Sequence, residues 1–328
     1  MNLKVKGLVL AVVSALVLNG CDSDKVKADL DHAGHKIGDA AHEVGHKIHD
    51  EVERAQDKLT QNAEKESLRQ LGLDEADIDY VIKHNPDDAM AVAKNSDRIL
   101  TGINFKYESN ADEIHNSQIH HIQHSAWDAN SQAKVAKIWG RVAFVVNSPR
   151  FAKRFNEETG LLDPQTFTGG IGDAASVPAD YQAFIDVASD ALQKGDNSYK
   201  LEAFENQIDP STGKELSSGG NAWGQMGSPE LFLNPVEITN SPINQTAPLL
   251  LHELTHAFGY THTAADQTTV QFVPNNIPYF VQLITTPGGM NDSDYSDLGA
   301  LSQEILAKNM TPPNTRENTD LFTQYFGQ

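Results

Sequence analysis

In 328 residues the chain carries 25 basic and 45 acidic side chains, a formal net charge of −20, and one cysteine. The acidic balance excludes nucleic acid as a partner, because phosphate binding needs a surplus of Lys and Arg. The single cysteine excludes an internal disulfide, so stability has to come from core packing, with or without a metal.

Residues 1–20 hold Lys4 and Lys6 ahead of an apolar run from Gly7 to Leu18. That is the layout of an export signal, and the run is too short to span a membrane. Leu18-Asn19-Gly20-Cys21 resembles the lipobox of bacterial lipoproteins, in which cleavage before the cysteine is coupled to its acylation. The resemblance implies a lipid on Cys21 that anchors the chain to a membrane of the bacterial cell envelope, facing the periplasm or the exterior. Asp22 is similar to the residue that retains such lipoproteins at the inner membrane.

Residues 21–65 read as a stalk helix. Val26, Ile37, Ile48 and Leu59 occupy equivalent places in an eleven-residue repeat, and Ala33-Gly34-His35-Lys36-Ile37 recurs as Val44-Gly45-His46-Lys47-Ile48. Eleven residues in three turns keep an apolar stripe nearly straight along a helix about 55–60 Å long. His35, His42, His46 and His49 fall within about 60° of one another, opposite that stripe. His42-Glu43-Val44-Gly45-His46 is an H-E-x-x-H sequence, but it lies on the outer face of a thin helix and no third ligand follows it. A solvated polar face and weak metal capture both remain open for it.

Residues 66–130 read as a helical region of unassigned role, with helices from Asp74 to His84 and from Pro86 to Leu100, each with an acidic first turn. His115, His120, His121 and His124 follow, and His120 and His124 have the i, i+4 spacing of a chelating pair on a helix. Residues 131–328 form the remaining domain. Two helices between Ala133 and Phe155 divide at Ser148-Pro149, and a loop at Gly169-Gly170-Ile171-Gly172 reads as a plain turn. An amphipathic helix runs from Asp180 to Gln193. Strands are expected at Tyr199–Phe204 and Glu230–Asn234, with a Gly- and Pro-rich spacer from Ser217 to Pro229 between them. A further helix is expected to be capped by Thr246, with Pro248 in its first turn.

On that last helix stands His252-Glu253-Leu254-Thr255-His256-Ala257-Phe258-Gly259-Tyr260-Thr261-His262. Given 13 His and 23 Gly in the chain, H-E-x-x-H-x-x-G-x-x-H arises by accident only about once in ten thousand such sequences. His252 and His256 are one turn apart, with Cβ atoms roughly 5–6 Å from each other, so both imidazoles can reach one ion. Glu253 is turned about 100° round the helix, which suits a general base acting on a zinc-activated water. Gly259 can take the positive φ that ends the helix, and the chain can then return His262 as third ligand. Three protein ligands leave one position of a tetrahedral zinc site open, as catalytic sites do.

The segment 252–262 resembles the zinc-binding consensus of the metzincin metalloendopeptidases. The resemblance implies a methionine turn beneath the zinc, for which Met290 in Gly288-Gly289-Met290 stands 28 residues after His262. It also implies a tyrosine near the zinc two residues after that methionine. Asn291 and Asp292 follow here, and Tyr295, the transition-state donor that the resemblance offers, comes later than that pattern places it. The fold expected is α+β, a metzincin-like protease domain with a small sheet whose edge strand, Leu231 to Leu233, takes an extended substrate, preceded by the long N-terminal helix. The function expected is a membrane-tethered, zinc-dependent endopeptidase acting on protein or peptide substrates. The rivals are a non-catalytic zinc-binding envelope lipoprotein, serving partner binding or metal capture, and a structural envelope protein.

Overall fold

The computed structural model describes residues 61–109, 122–214, 222–262, 275–286 and 320–327. Cys21, the repeat up to Leu59, His115, His120, His121, Met290 and Tyr295 lie outside them. The chain divides into two units, Met1–Ala63 and Glu64–Gln328, and the numbered helices and strands below belong to the second. After a helical stretch at 61–70 come α1 (Glu75–His84), α2 (Pro86–Lys94), β1 (Asn104–Glu108), β2 (Ile122–His124), α3 (Ala129–Val146), α4 (Pro149–Glu158) and α5 (Tyr181–Lys194). Then follow β3 (Ser198–Asn206), β4 (Ala222–Gly224), β5 (Glu230–Leu233), α6 (Pro235–Asn240), α7 (Ile243–Ala257), α8 (Ile277–Thr285) and α9 (Leu321–Phe326). The described part is α+β, with many helices around one small sheet.

Side-chain caps set several helix starts. The carboxylates of Asp74 and Asp180 accept the N–H groups of Asp77 and Ala183 at 2.8 and 2.9 Å, satisfying donors that have no partner inside the helix. Ser148 caps α4 through the Phe151 N–H at 3.2 Å, and Pro149 at the first helical position separates α4 from α3. The helix expected from Pro86 to Leu100 stops at Lys94. Its continuation competes with local turn chemistry. The Asn95 side chain accepts the Asp97 N–H at 2.9 Å, Arg98 donates to Ala93 O at 2.8 Å, and Leu100 adopts φ 64°.

The sheet has the order β1-β3-β5-β4, with β2 also paired to β3. β1, β3 and β5 run parallel, while β4 is antiparallel to β5 and β2 antiparallel to β3. Residues 66–130 thus supply two strands as well as helices. His124 ends a strand, and its i, i+4 partner His120 lies outside the described residues. The expectation that Leu231–Leu233 is the edge is also overturned. β5 is paired on both sides, and the end of the order is β4, inside the stretch read as a spacer. Three residues ending in glycine carry no periodic signal, and only pairing with β5 makes them a strand.

The core lies between the helices and the sheet. Trp139 of α3 packs edge-on against Phe105 of β1 and Tyr199 of β3, with ring centroids 4.8 and 4.9 Å away. Phe155 of α4 meets Phe184 of α5 at 5.0 Å and Phe280 of α8 at 5.2 Å. α7 packs against α3, α8 and β4, which puts its middle turns in the interior. It starts one turn earlier than expected: Pro242 occupies the cap position, and Thr246 lies inside, its hydroxyl donating to Pro242 O at 3.1 Å.

Candidate metal centre

The second half of α7 is buried on all sides, with His252, Glu253 and His256 only 4, 5 and 8% exposed. The helix closes on a left-handed residue, since Gly259 has φ 105°. The Gly259 N–H bonds to His256 O at 2.9 Å and the Tyr260 N–H to Thr255 O at 3.0 Å. This paired closure satisfies the last carbonyls and reverses the chain. A side chain with a Cβ would be strained at that φ.

The reversal brings His262 back over the helix. Its ring centroid lies 5.2 Å from that of His252 and 4.9 Å from that of His256, and the His252 and His256 rings are 5.2 Å apart. Each histidine offers a ring nitrogen, and the three nitrogens lie within 4.8 Å of one another. The His252 and His262 Nε2 atoms are 3.3 Å apart. Two nitrogens bound to one tetrahedral zinc at roughly 2.0–2.1 Å stand about 3.3–3.4 Å from each other. The trio therefore fits a single metal ion.

The chemistry of the donors agrees with the geometry. His256 Nδ1 is 2.9 Å from Tyr260 O, so the N–H belongs on Nδ1 and the Nε2 lone pair is left for a metal. Burial, with repulsion from His256 and His262, holds His252 well below the usual imidazole range. Burial lowers His256 to about 4. Both rings are accordingly neutral at neutral pH, as ligands must be.

Glu253 faces the sheet edge. Its Oε2 accepts the Gly224 N–H of β4 at 2.6 Å. Burial pushes its carboxyl up to about 8, with the Gly224 N–H acting in the opposite direction. A neighbouring dication favours the ionised form.

Comparison with protein-family models, curated proteins and solved structures finds no match to this chain.

The structure brings together His252, Glu253, His256, Gly259 and His262, which the spacing singled out, while Met290, Tyr295 and Cys21 fall outside the described residues. Several partners had no sequence signal. The Tyr279 ring lies 4.5 Å from His252 and 4.8 Å from His262. Asn276 and Pro278 mark a helix start that places Tyr279 in a first turn, yet nothing local says that this turn lies on the histidines. Gly224 was hidden in the glycine-rich stretch, and the Tyr260 carbonyl is a backbone group.

Proposed function

We propose that this chain is a metzincin-like, zinc-dependent endopeptidase, held at a membrane by a lipid on Cys21. The observation that carries the reading is the convergence of His252, His256 and His262 beside a carboxyl pinned to the sheet edge. His252, His256 and His262 would hold the ion. Bound zinc supplies Lewis acidity, acidifying a water and polarising the scissile carbonyl. Glu253 takes the proton of the attacking water and returns it to the leaving amine. The Gly224 N–H fixes Oε2, so the carboxylate keeps one oxygen anchored and the other for the proton. His256 stays in the ligating tautomer through Tyr260 O. An extended substrate adds to β4 through backbone hydrogen bonds. Because Gly224 belongs to β4 and also holds Glu253, the substrate strand and the base share one frame.

The test is metal analysis of the full chain together with cleavage of an unstructured protein. Zinc that is missing from the His262→Ala variant, and cleavage that chelators abolish and Glu253→Ala lowers by about 10²–10⁴, are expected. Stoichiometric zinc without chelator-sensitive cleavage by the wild type overturns the protease reading and leaves a zinc-binding lipoprotein.

A further inference from the structure

The glycine-rich loop expected to be a plain turn touches the frame of the metal centre at two places. The Ile171 N–H donates to Gly259 O at 3.0 Å and the Thr261 N–H to Gly169 O at 3.1 Å. Between them Gly170 forms an antiparallel bridge with Tyr260. The earlier part of the loop is tied to the residue pair ahead of α8. The Thr168 N–H donates to Asn275 O at 2.9 Å, and the Asn275 side chain accepts the Asp163 N–H at 2.9 Å. Asn275 Nδ2 donates to Asp163 O at 3.0 Å and to Thr166 Oγ1 at 2.8 Å. One loop therefore joins the turn that carries His262 to the helix whose Tyr279 packs on His252 and His262.

The contact leaves no slack. A Cβ on Gly170 would lie 1.8 Å from Gly259 O, far inside any non-bonded separation. Backbone meets backbone, so no flexible side chain can yield.

His252 and His256 need no such help, since α7 spaces them. His262 lies beyond the helix cap, and its place depends on the course of residues 259–262. We propose that residues 169–171 are a positioning clamp for His262, selecting the course of that turn in which the third imidazole meets the other two. Tyr260, whose carbonyl orients His256, is held by the same bridge. The clamp acts through the ligands and touches neither metal nor substrate. This inference rests on the metal-centre reading.

The experiment uses the full chain titrated with Co²⁺, whose visible absorption reports ligand number and geometry. The difference between wild type and His262→Ala isolates this centre from the other histidines. Gly170→Ala is expected to move the spectrum to that of His262→Ala and to weaken binding roughly ten- to a hundredfold. Gly160→Ala, where an added Cβ meets nothing within 4 Å, keeps the wild-type spectrum and affinity. Ile171→Pro removes the N–H given to Gly259 and alters a side chain that is 51% exposed. It shifts both readouts in the same direction, and it serves should Gly170→Ala fail to fold. Wild-type affinity and spectrum in the folded variants overturn the clamp alone. A wild type indistinguishable from His262→Ala overturns the metal-centre reading, and the clamp with it.

Discussion

In the metal-free protein burial pushes the Glu253 carboxyl towards the proton-bound form above neutrality, to about 8 against an ordinary 4.5. The folded state then binds more protons than the unfolded state between those values, so the contribution is complete below 4.5 and is lost as pH rises through 8. His256, lowered to about 4 from 6.5, and His252 have the opposite sign: their contribution is complete above 6.5 and is lost as pH falls. Between pH 6.5 and 8 the Glu253 contribution falls. The two histidines, half protonated in the unfolded chain at 6.5, offset a smaller part of it, so the difference from Glu253→Gln isolates the carboxyl. Denaturant unfolding of metal-free wild type should lose on the order of 1–2 kcal/mol across that window, and Glu253→Gln should lose almost none of it. Equal slopes in the two proteins would mean that the carboxyl is not held in a desolvated place.

Among the elements, α7 is kept in register at both ends. Its C-terminal turn is closed by Gly259, and its first turn is tied down by Asn244. Asn244 accepts from Arg141 of α3 at 2.7 Å and donates to Gly327 O, just past α9, at 2.7 Å. Arg141 in turn grips Asp77 of α1 through two bonds of 2.8 Å and lies 4.8 Å over the Phe326 ring. Both charges are buried, with side chains 8 and 5% exposed. Removing one leaves the other without its partner, so Asp77→Ala should cost about 3–5 kcal/mol in chemical denaturation. A loss below about 1 kcal/mol would assign the pair to the solvated class. Phe155 joins α4 to α5 and α8 and is fully buried. Phe155→Ala should lower stability by roughly 3–5 kcal/mol, read by the same measurement. The helices were legible because caps and prolines are local: Asp74, Ser148-Pro149 and Asp180 stand at the observed starts. β4 was not legible, because a three-residue strand is made by its partner.

At the scale of the whole molecule, the proposed anchor and the proposed hydrolytic centre make separable demands. No helix among the described residues is long and apolar enough to cross a membrane, and Cys21 is the cysteine available to carry a lipid. Cys21→Ser should move the protein from the membrane fraction to the soluble fraction on cell fractionation, leaving cleavage of a soluble substrate intact. Retention of that variant on membranes would sink the lipid anchor while leaving the centre untouched.

The sequence by itself determined which side chains can form the centre. His252, Glu253 and His256 are placed by one helix whose hydrogen bonds join near neighbours, and Gly259 ends that helix through a conformation its own lack of a Cβ permits. Tertiary structure decided whether the third histidine arrives and what surrounds the site. The course of residues 260–262 is set by backbone contacts with a loop far earlier in the chain, and the carboxyl of Glu253 is fixed by a strand that exists only in the sheet. Such contacts leave no pattern in a local stretch of sequence, because they depend on which distant segments the closed core brings together.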